Sequence, residues 1–354
     1  MATFPFVLEP EHVRSITAVR PRPWIYWSDL LASAAVGWGA FLISLQAPLP
    51  SLLHVGATAV AICALLRAAI FVHELAHLKR GRLPGFALAW HMLIGLPFLL
   101  PSFMYVGSHS DHHRQATFGT INDPEYVPLA RWSSRRIAGL IGGTLAVPAL
   151  LVLRWGVLGP LSFLIPPLRR LVLERGSSLA INLRYRRPLP RRSVAVTWGL
   201  QEVAVTGVCW TALWGVTSGR VTTWWAVQWY IVAAGIVVVN QLRTLAAHRY
   251  ENDGSPLDTT AQLLDSITLT GWPFTVLAAP LGLRYHALHH AFPTIPYHSL
   301  GALHRRLLAE LPPDAPYRRT LHPGICSVVG HLLGRSPRPS TAAPLSGKRA
   351  SEGA

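Results

Sequence analysis

Long apolar segments limit the fold of this 354-residue chain more than any other feature. A helix needs about 20 apolar residues to cross a bilayer, and four segments reach that length. They form two pairs, and a short polar or proline-containing turn splits each pair, so the sequence predicts two helical hairpins. The four predicted spans lie near 27–46, 51–72, 194–216 and 223–243.

The composition also indicates a membrane protein. Hydrophobic residues make up 51% of the chain and charged residues 14%, against about 25% charged residues in typical soluble domains. The net charge of +16 comes almost entirely from arginines, and these flank apolar stretches, as at 169–170 and 184–187. This pattern is typical of cytoplasmic membrane edges and of contacts with anionic headgroups. We therefore expect a membrane as partner and no nucleic acid.

Histidines cluster at three places with the spacing of metal ligands. The clusters have the forms His-x3-His, His-x2-His-His and His-x2-His-His, and on a helix these spacings gather the rings of each cluster on one face. A ninth histidine follows the last span directly. Histidine is the commonest metal ligand, and nine ligands are too many for one ion, so the count predicts two metal ions. The candidate ligands are His73, His77, His109, His112, His113, His248, His286, His289 and His290.

Clusters that share one metal site must lie on one side of the membrane. The two hairpins satisfy this condition if the remaining apolar stretches cross an even number of times or not at all. Those stretches are 84–104, 136–168 and 266–285, and prolines or a charged residue interrupt each of them. They could be interfacial, re-entrant or packed within protein. The tail 335–354 is rich in Pro, Ser, Ala and Gly and is predicted to be disordered after a single membrane domain, 1–334.

Acidic residues near the clusters could orient the ligands through the second ring nitrogen of each imidazole. Asp111 is favoured because it lies inside a cluster. Glu74, Asp123, Glu125 and Asp253 are equally open to a role as solvated or helix-capping acids.

The order of the three clusters resembles that of the membrane fatty-acid desaturase and hydroxylase superfamily, and the stretch 109–126 resembles bacterial desaturase-like proteins. The resemblance implies an all-α fold of about four transmembrane helices, with interfacial helices and a cytosolic cap that holds the metal site. It also implies two iron ions, dioxygen as co-substrate, and electrons from a separate donor of the ferredoxin or cytochrome type. The eight cluster histidines would be ligands, in a bacterial inner membrane with the site on the cytoplasmic side.

The implied reaction is O2-dependent desaturation of a fatty-acyl or other lipid chain, with hydroxylation or ketone formation as the alternative. His248 matches an extra histidine of acyl-CoA desaturases, but Thr244 stands where those enzymes have Asn. Acyl-CoA specificity is therefore not carried over. The segment His322-Pro-Gly-Ile325 departs from the His-Pro-Gly-Gly haem motif of cytochrome b5, so we expect the electron donor to be separate.

A rival hypothesis comes from the first cluster taken alone. The segment His73-Glu74-x-x-His77 also fits the motif of zinc proteases, with Asp253 or Asp258 as a distant third ligand. That hypothesis leaves both His-x2-His-His clusters without a role. A metal transporter is a second rival, but transporters usually carry ionisable residues inside their spans, and here the histidines lie at the ends.

Overall fold

The computed structural model describes residues 19–79 and 81–335. Within these residues the fold is almost entirely helical, and the one sheet is a parallel pair of two-residue strands, β1 (Thr268–Leu269) and β2 (Leu321–His322). The α-helices, in chain order, are α1 (Pro23–Gln46), α2 (Leu52–His77), α3 (Phe86–Trp90), α4 (Phe103–His112), α5 (Ser134–Gly143), α6 (Val147–Leu153), α7 (Gly159–Leu164), α8 (Pro166–Arg175), α9 (Arg192–Thr217), α10 (Thr223–Leu245), α11 (Thr259–Asp265), α12 (Phe274–Ala278), α13 (His286–Ala291), α14 (Tyr297–Glu310) and α15 (Ile325–Gly334).

This architecture confirms the all-α membrane class. Except for its first residue, the predicted disordered tail 335–354 lies outside the described residues.

Helices α1 and α2 form the first predicted hairpin. The Ser51 side chain accepts a hydrogen bond from the His54 N–H at 3.1 Å, which caps the start of α2. The two helices approach closely at Gly37, where an added Cβ atom would lie 2.5 Å from Leu65 Cγ. Helices α9 and α10 form the second pair, and the Thr222 side chain caps α10.

The helices that are long and apolar enough to span a membrane differ from the predicted set in one member. Within the described part of the chain they are α1, α2, α10 and the continuous helical run Ser134–Leu164. Helix α9 has the length but is less apolar, because Gln201 and Glu202 interrupt it. It still shows a lipid-type surface at helical spacing, with Val196 71% and Leu200 67% exposed.

The run Ser134–Leu164 consists of α5, a 3₁₀ turn, α6, a π turn at Arg154–Leu158, and α7. A buried ion pair holds it against α9, because Glu202 binds Arg154 at 2.7 Å, and the same carboxylate binds Arg169 of α8 at 2.6 Å. The number of times this run crosses the membrane stays a prediction.

The other two ambiguous stretches break into short pieces that are too short to cross. Residues 84–104 form α3 and a π turn, His91–Gly95, and then bend into α4. Residues 266–285 form β1 and the five-residue α12. These pieces pack around the ends of α2 and α10, so that α4 and α13 lie against the end of α2 where the first histidine cluster is placed.

Candidate metal centre

Nine histidines from four parts of the chain converge in two groups. They come from the end of α2, from α4 and the residue after it, from the segment after α10, and from α13. Within each group, one ring nitrogen of every histidine lies within 4.8 Å of the corresponding nitrogens of the others. The five-histidine group is His73, His77, His109, His113 and His289, and the four-histidine group is His112, His248, His286 and His290.

Helices α4 and α13 each contribute to both groups. In α4 the pair His109 and His113 serves the five-histidine group, while His112 points into the other. In α13 the pairing is exchanged, because His286 and His290 serve the four-histidine group and His289 the five-histidine group. Around a helix, residue i+4 is rotated about 40° from residue i in one direction, whereas residue i+3 is rotated from residue i in the opposite direction. The prediction that each triplet gathers its rings on one face is therefore too coarse.

The contacts between ring nitrogens identify what the groups can hold. Four Nε2···Nε2 distances of 3.0 Å link the five nitrogens of the five-histidine group in a row. An imidazole Nε2 carries either one hydrogen or one lone pair, so five such atoms can form at most two hydrogen bonds among themselves. Ligands held at right angles about 2.1 Å from a shared ion lie about 3.0 Å apart. The residues present therefore fit a metal ion.

The four-histidine group has the same pattern. Its three Nε2···Nε2 distances run from His112 to His248 (3.3 Å), from His248 to His286 (3.0 Å) and from His286 to His290 (3.0 Å). Four nitrogens in this row again have more close contacts than hydrogen bonding can satisfy.

Buried carboxylates hold two of the rings through the opposite nitrogen. Asp123 is fully buried, and both of its oxygens accept from His112 Nδ1, at 2.9 and 3.0 Å. Glu125 accepts from His109 Nδ1 at 2.8 Å. A hydrogen on Nδ1 leaves the Nε2 lone pair free, which is the tautomer that a metal ligand needs.

A third carboxylate in this position was missed in the sequence. Asp265, at the end of α11, lies 3.3 Å from His248 Nδ1 and accepts a hydrogen bond from the Tyr126 hydroxyl at 2.9 Å. Its place among apolar residues, between Leu263-Leu264 and Ile267, was the available signal.

The predictions for the other acids need correction. Asp111 accepts from the Tyr185 hydroxyl (2.6 Å) and pairs with Arg114 (2.7 Å), because its position in α4 turns it away from the rings. Asp253 is exposed and bonds to Ser255 in a turn. Neither acid contacts a ligand ring.

Glu74 lies near a candidate ligand ring but does not form a hydrogen bond with it. Its carboxylate accepts a hydrogen bond from the Tyr26 hydroxyl, and its second oxygen lies 3.7 Å from His73 Nδ1, which is beyond hydrogen-bonding distance. The carboxylate therefore faces the side of His73 away from the convergent Nε2 atoms. This placement does not suit the general base of a zinc protease.

Burial keeps most of these rings neutral. It lowers the pKa of His109, His286 and His289, with further lowering from neighbouring histidines. For His112, burial alone would lower the pKa, but the charge and hydrogen bonds of Asp123, together with the charges of Glu125 and Asp265, outweigh it, and the pKa is raised.

The accessible side of the centre is formed by three rings. His77, His113 and His290 are partly exposed, whereas the other six are buried. Thr244 lies outside both groups and donates its hydroxyl hydrogen to the Asn240 carbonyl at 2.9 Å.

Comparisons with known proteins agree with this geometry. The family model for fatty acid desaturases matches residues 49–321. The chain is also 41% identical, over 324 residues, to a ceramide hydroxylase of Caulobacter vibrioides (strain NA1000 / CB15N), a match that covers 89% of this chain and 90% of that protein. The match spans all nine convergent histidines, and the chain belongs to the fatty acid desaturase family of membrane oxidoreductases that act on lipids.

Proposed function

We propose that this enzyme hydroxylates a ceramide or a similar lipid amide, using dioxygen and two iron ions held by the nine histidines. The observation that carries the proposal is the 41% identity to a ceramide hydroxylase over 89% of this chain. It is supported by two groups of ring nitrogens whose spacing suits two ions. Desaturation, which the sequence placed first, becomes the second candidate, since the family includes both reactions.

The protein residues have distinct roles in this proposal. The Nε2 atoms of His73, His77, His109, His113 and His289 would hold one ion, and those of His112, His248, His286 and His290 the other. Bound iron would supply the activation of dioxygen and the oxidation of an unactivated C–H bond. Asp123, Glu125 and Asp265 fix the tautomer and orientation of the rings that they contact.

The lipid chain would approach from the accessible side. His77, His113 and His290 border that side, while burial of the remaining rings keeps water from the rest of the centre. The Tyr105 ring stacks on His109 at 4.8 Å and its hydroxyl lies 3.0 Å from His109 Nδ1, which restrains that ring further.

Electrons would come from a separate ferredoxin- or cytochrome-type protein. His322, in the segment that resembles part of a haem motif, lies in β2 and pairs with β1, so it has a structural place. The arginine-rich edges favour a bacterial inner membrane with the histidines on the cytoplasmic side.

Lipid profiling tests the reaction. The enzyme would be expressed with a compatible reductase and ferredoxin and supplied with ceramide, and the products would be measured by mass spectrometry. Hydroxylation adds one oxygen, about 16 Da, and desaturation removes two hydrogens, about 2 Da. A product that is only lighter would overturn hydroxylation in favour of desaturation.

Two variants make the test specific. His112→Ala removes a proposed ligand and should abolish the product, while Asp111→Asn alters an acid that contacts no ligand ring and should preserve it. Measured iron near two ions per chain supports the proposed centre. Full activity of the His112→Ala protein would contradict the ligand assignment.

A further inference from the structure

A cavity of about 640 Å³ lies behind the metal centre, on the Nδ1 side of the four-histidine group. Its floor includes Tyr126, whose hydroxyl reaches Asp265 and through it His248. Its wall includes the turn that begins at Gly119 and leads to Asp123. None of the nine convergent histidines lines the cavity, so it lies apart from the Nε2 atoms near which a lipid would be oxidised.

The cavity combines an apolar lining with unpaired positive charge. Apolar side chains such as Val127 and Leu140 line most of it, and Arg131, Arg136 and Arg184 border it. Among the described residues, none of the three arginines forms an ion pair within 4.0 Å, and Arg136 instead lies over the Trp132 ring at 3.7 Å.

The lining of this cavity contains little negative charge. Asp253 is the carboxylate in the lining, and its oxygen already accepts hydrogen bonds from the Ser255 N–H (3.0 Å) and hydroxyl (2.7 Å). Three arginines and one acid leave a local excess of positive charge. Burial of apolar surface next to uncompensated cations suits an amphiphilic anion.

The position of the cavity beside the start of an apolar helical run favours a lipid over a protein. The apolar run Ser134–Leu164 begins beside it, and Trp132 lies just before that start. Tryptophan and arginine at the end of an apolar helix mark the level of the lipid headgroups. A concave cavity of several hundred Å³ also matches a lipid headgroup and the top of its chains better than the flat contact area of a protein.

We propose that this cavity is a binding site for an anionic phospholipid, in which the arginines Arg131, Arg136 and Arg184 bind the phosphate-bearing headgroup and the apolar lining receives the upper part of an acyl chain. The bound lipid would pack against the turn that carries Asp123. The site is separate from the one at which the substrate is oxidised.

Neighbouring arginines provide a matched control. Arg136 and Arg184 border the cavity, whereas Arg135 and Arg186 are exposed next to them in the chain and do not line it. The double variant Arg136→Gln/Arg184→Gln and the control Arg135→Gln/Arg186→Gln remove the same charge from the same segments. Unchanged thermal unfolding of both in detergent would show that each is folded.

Binding would be measured in nanodiscs of phosphatidylcholine with a spin-labelled phosphatidylglycerol as probe. Removing two of the headgroup arginines should weaken probe binding on the order of 30-fold, while the control variant should change it less than about threefold. Equal weakening by both variants would overturn the proposal, because it would show general surface attraction.

Two further arms identify the source of the phosphate and the class of partner. Inorganic phosphate should not displace the lipid probe, and displacement at equal concentration would show a free-phosphate site instead. If the cavity variant binds phosphatidylglycerol normally but loses reduction by an acidic ferredoxin, the face is a protein docking surface and the lipid proposal is wrong.

Discussion

Replacement of Asp123 by asparagine tests how far one buried carboxylate supports the metal centre. Asp123 accepts hydrogen bonds from three donors: the His112 Nδ1–H, which both oxygens share, and the N–H groups of Gly119 and Glu125, each to one oxygen at 2.8 Å. Asparagine keeps the shape but replaces one acceptor oxygen with a donor amide. If its oxygen faces His112 and Glu125, the amide must face the Gly119 N–H.

The magnitude follows from that mismatch. Two donors facing each other at a fully buried position leave hydrogen bonds unmade at a cost of about 1–3 kcal/mol. The charge that orients His112 is also lost, and changes to such supporting groups typically lower metal affinity or activity by about 10–100-fold. We expect Asp123→Asn to unfold at a lower temperature. We also expect its metal affinity at the four-histidine group to fall by about 10–100-fold.

The assay is iron titration of the metal-free protein in detergent, followed by the hydroxylation measurement at saturating iron. Asp111→Asn is the matched control, since it makes the same chemical change at another buried acid near the centre, one that bonds to Tyr185 and Arg114. Its iron affinity should remain within about threefold of the unchanged enzyme. Equal losses in the two variants would refute the assignment of the supporting role to Asp123.

Three other substitutions probe the remaining structure. His286→Ala and His289→Ala should each lower the iron content from about two ions per chain toward one, because they belong to different groups, and loss of both ions in either variant would indicate a single shared site. Glu202→Gln leaves a buried arginine without its partner and should destabilise the fold by about 3–5 kcal/mol. Glu310→Gln, in an exposed ion pair, should destabilise it by at most about 0.5 kcal/mol. Thermal unfolding compares the two variants. Gly271→Ala would place a Cβ against the Pro323 carbonyl and should lower stability by about 1–3 kcal/mol in the same assay, and an unchanged midpoint would contradict that packing.

The candidate ligands could be identified from the sequence because their signal is local. Spacings of three and four residues depend only on helix geometry, and His248 was found by its position after an apolar span. The division into two groups was not predictable, because it depends on how α4 and α13 are rotated relative to α2. That rotation arises from packing between parts of the chain more than 200 residues apart, such as His73 and His289.

The supporting acids show where sequence proximity misleads. Asp111 lies between two candidate ligands in the chain, yet its side chain points away from them, while Asp123 lies 11 residues from His112 and contacts it directly. A turn brings Asp123 back, and Gly119 supplies the positive φ of 71° that the turn requires. The sequence contains that glycine, but the direction of the returning chain depends on Asn182, which donates to the Asp123 carbonyl at 2.8 Å.

The spans were predicted by apolar length, and helix α9 shows how a span predicted in this way can carry polar residues. Its Gln201 and Glu202 reduce its mean hydropathy, but they face protein: Gln201 accepts from the Phe103 N–H at 3.3 Å and Glu202 is 2% exposed. A helix with one lipid face and one protein face can therefore carry polar residues on its protein face, although these residues lower its mean hydropathy.

The buried acids also predict the effect of removing the metal. Glu74, Asp123, Glu125 and Asp265 are all buried around nine imidazoles. Two divalent ions would bring four positive charges next to these four carboxylates. Without them, the raised pKa of His112 lets a proton on that ring offset part of the charge of Asp123, and the remaining carboxylates stay buried with less compensation. At a metal concentration of 100 times the dissociation constant, each ion should stabilise the fold by about 2.7 kcal/mol. Chelation should lower the unfolding midpoint, and the difference between loaded and metal-free protein should be smaller in Asp123→Asn, which has one carboxylate fewer. A metal-free protein that unfolds at the same temperature as the loaded one would contradict this account of the centre's charge balance.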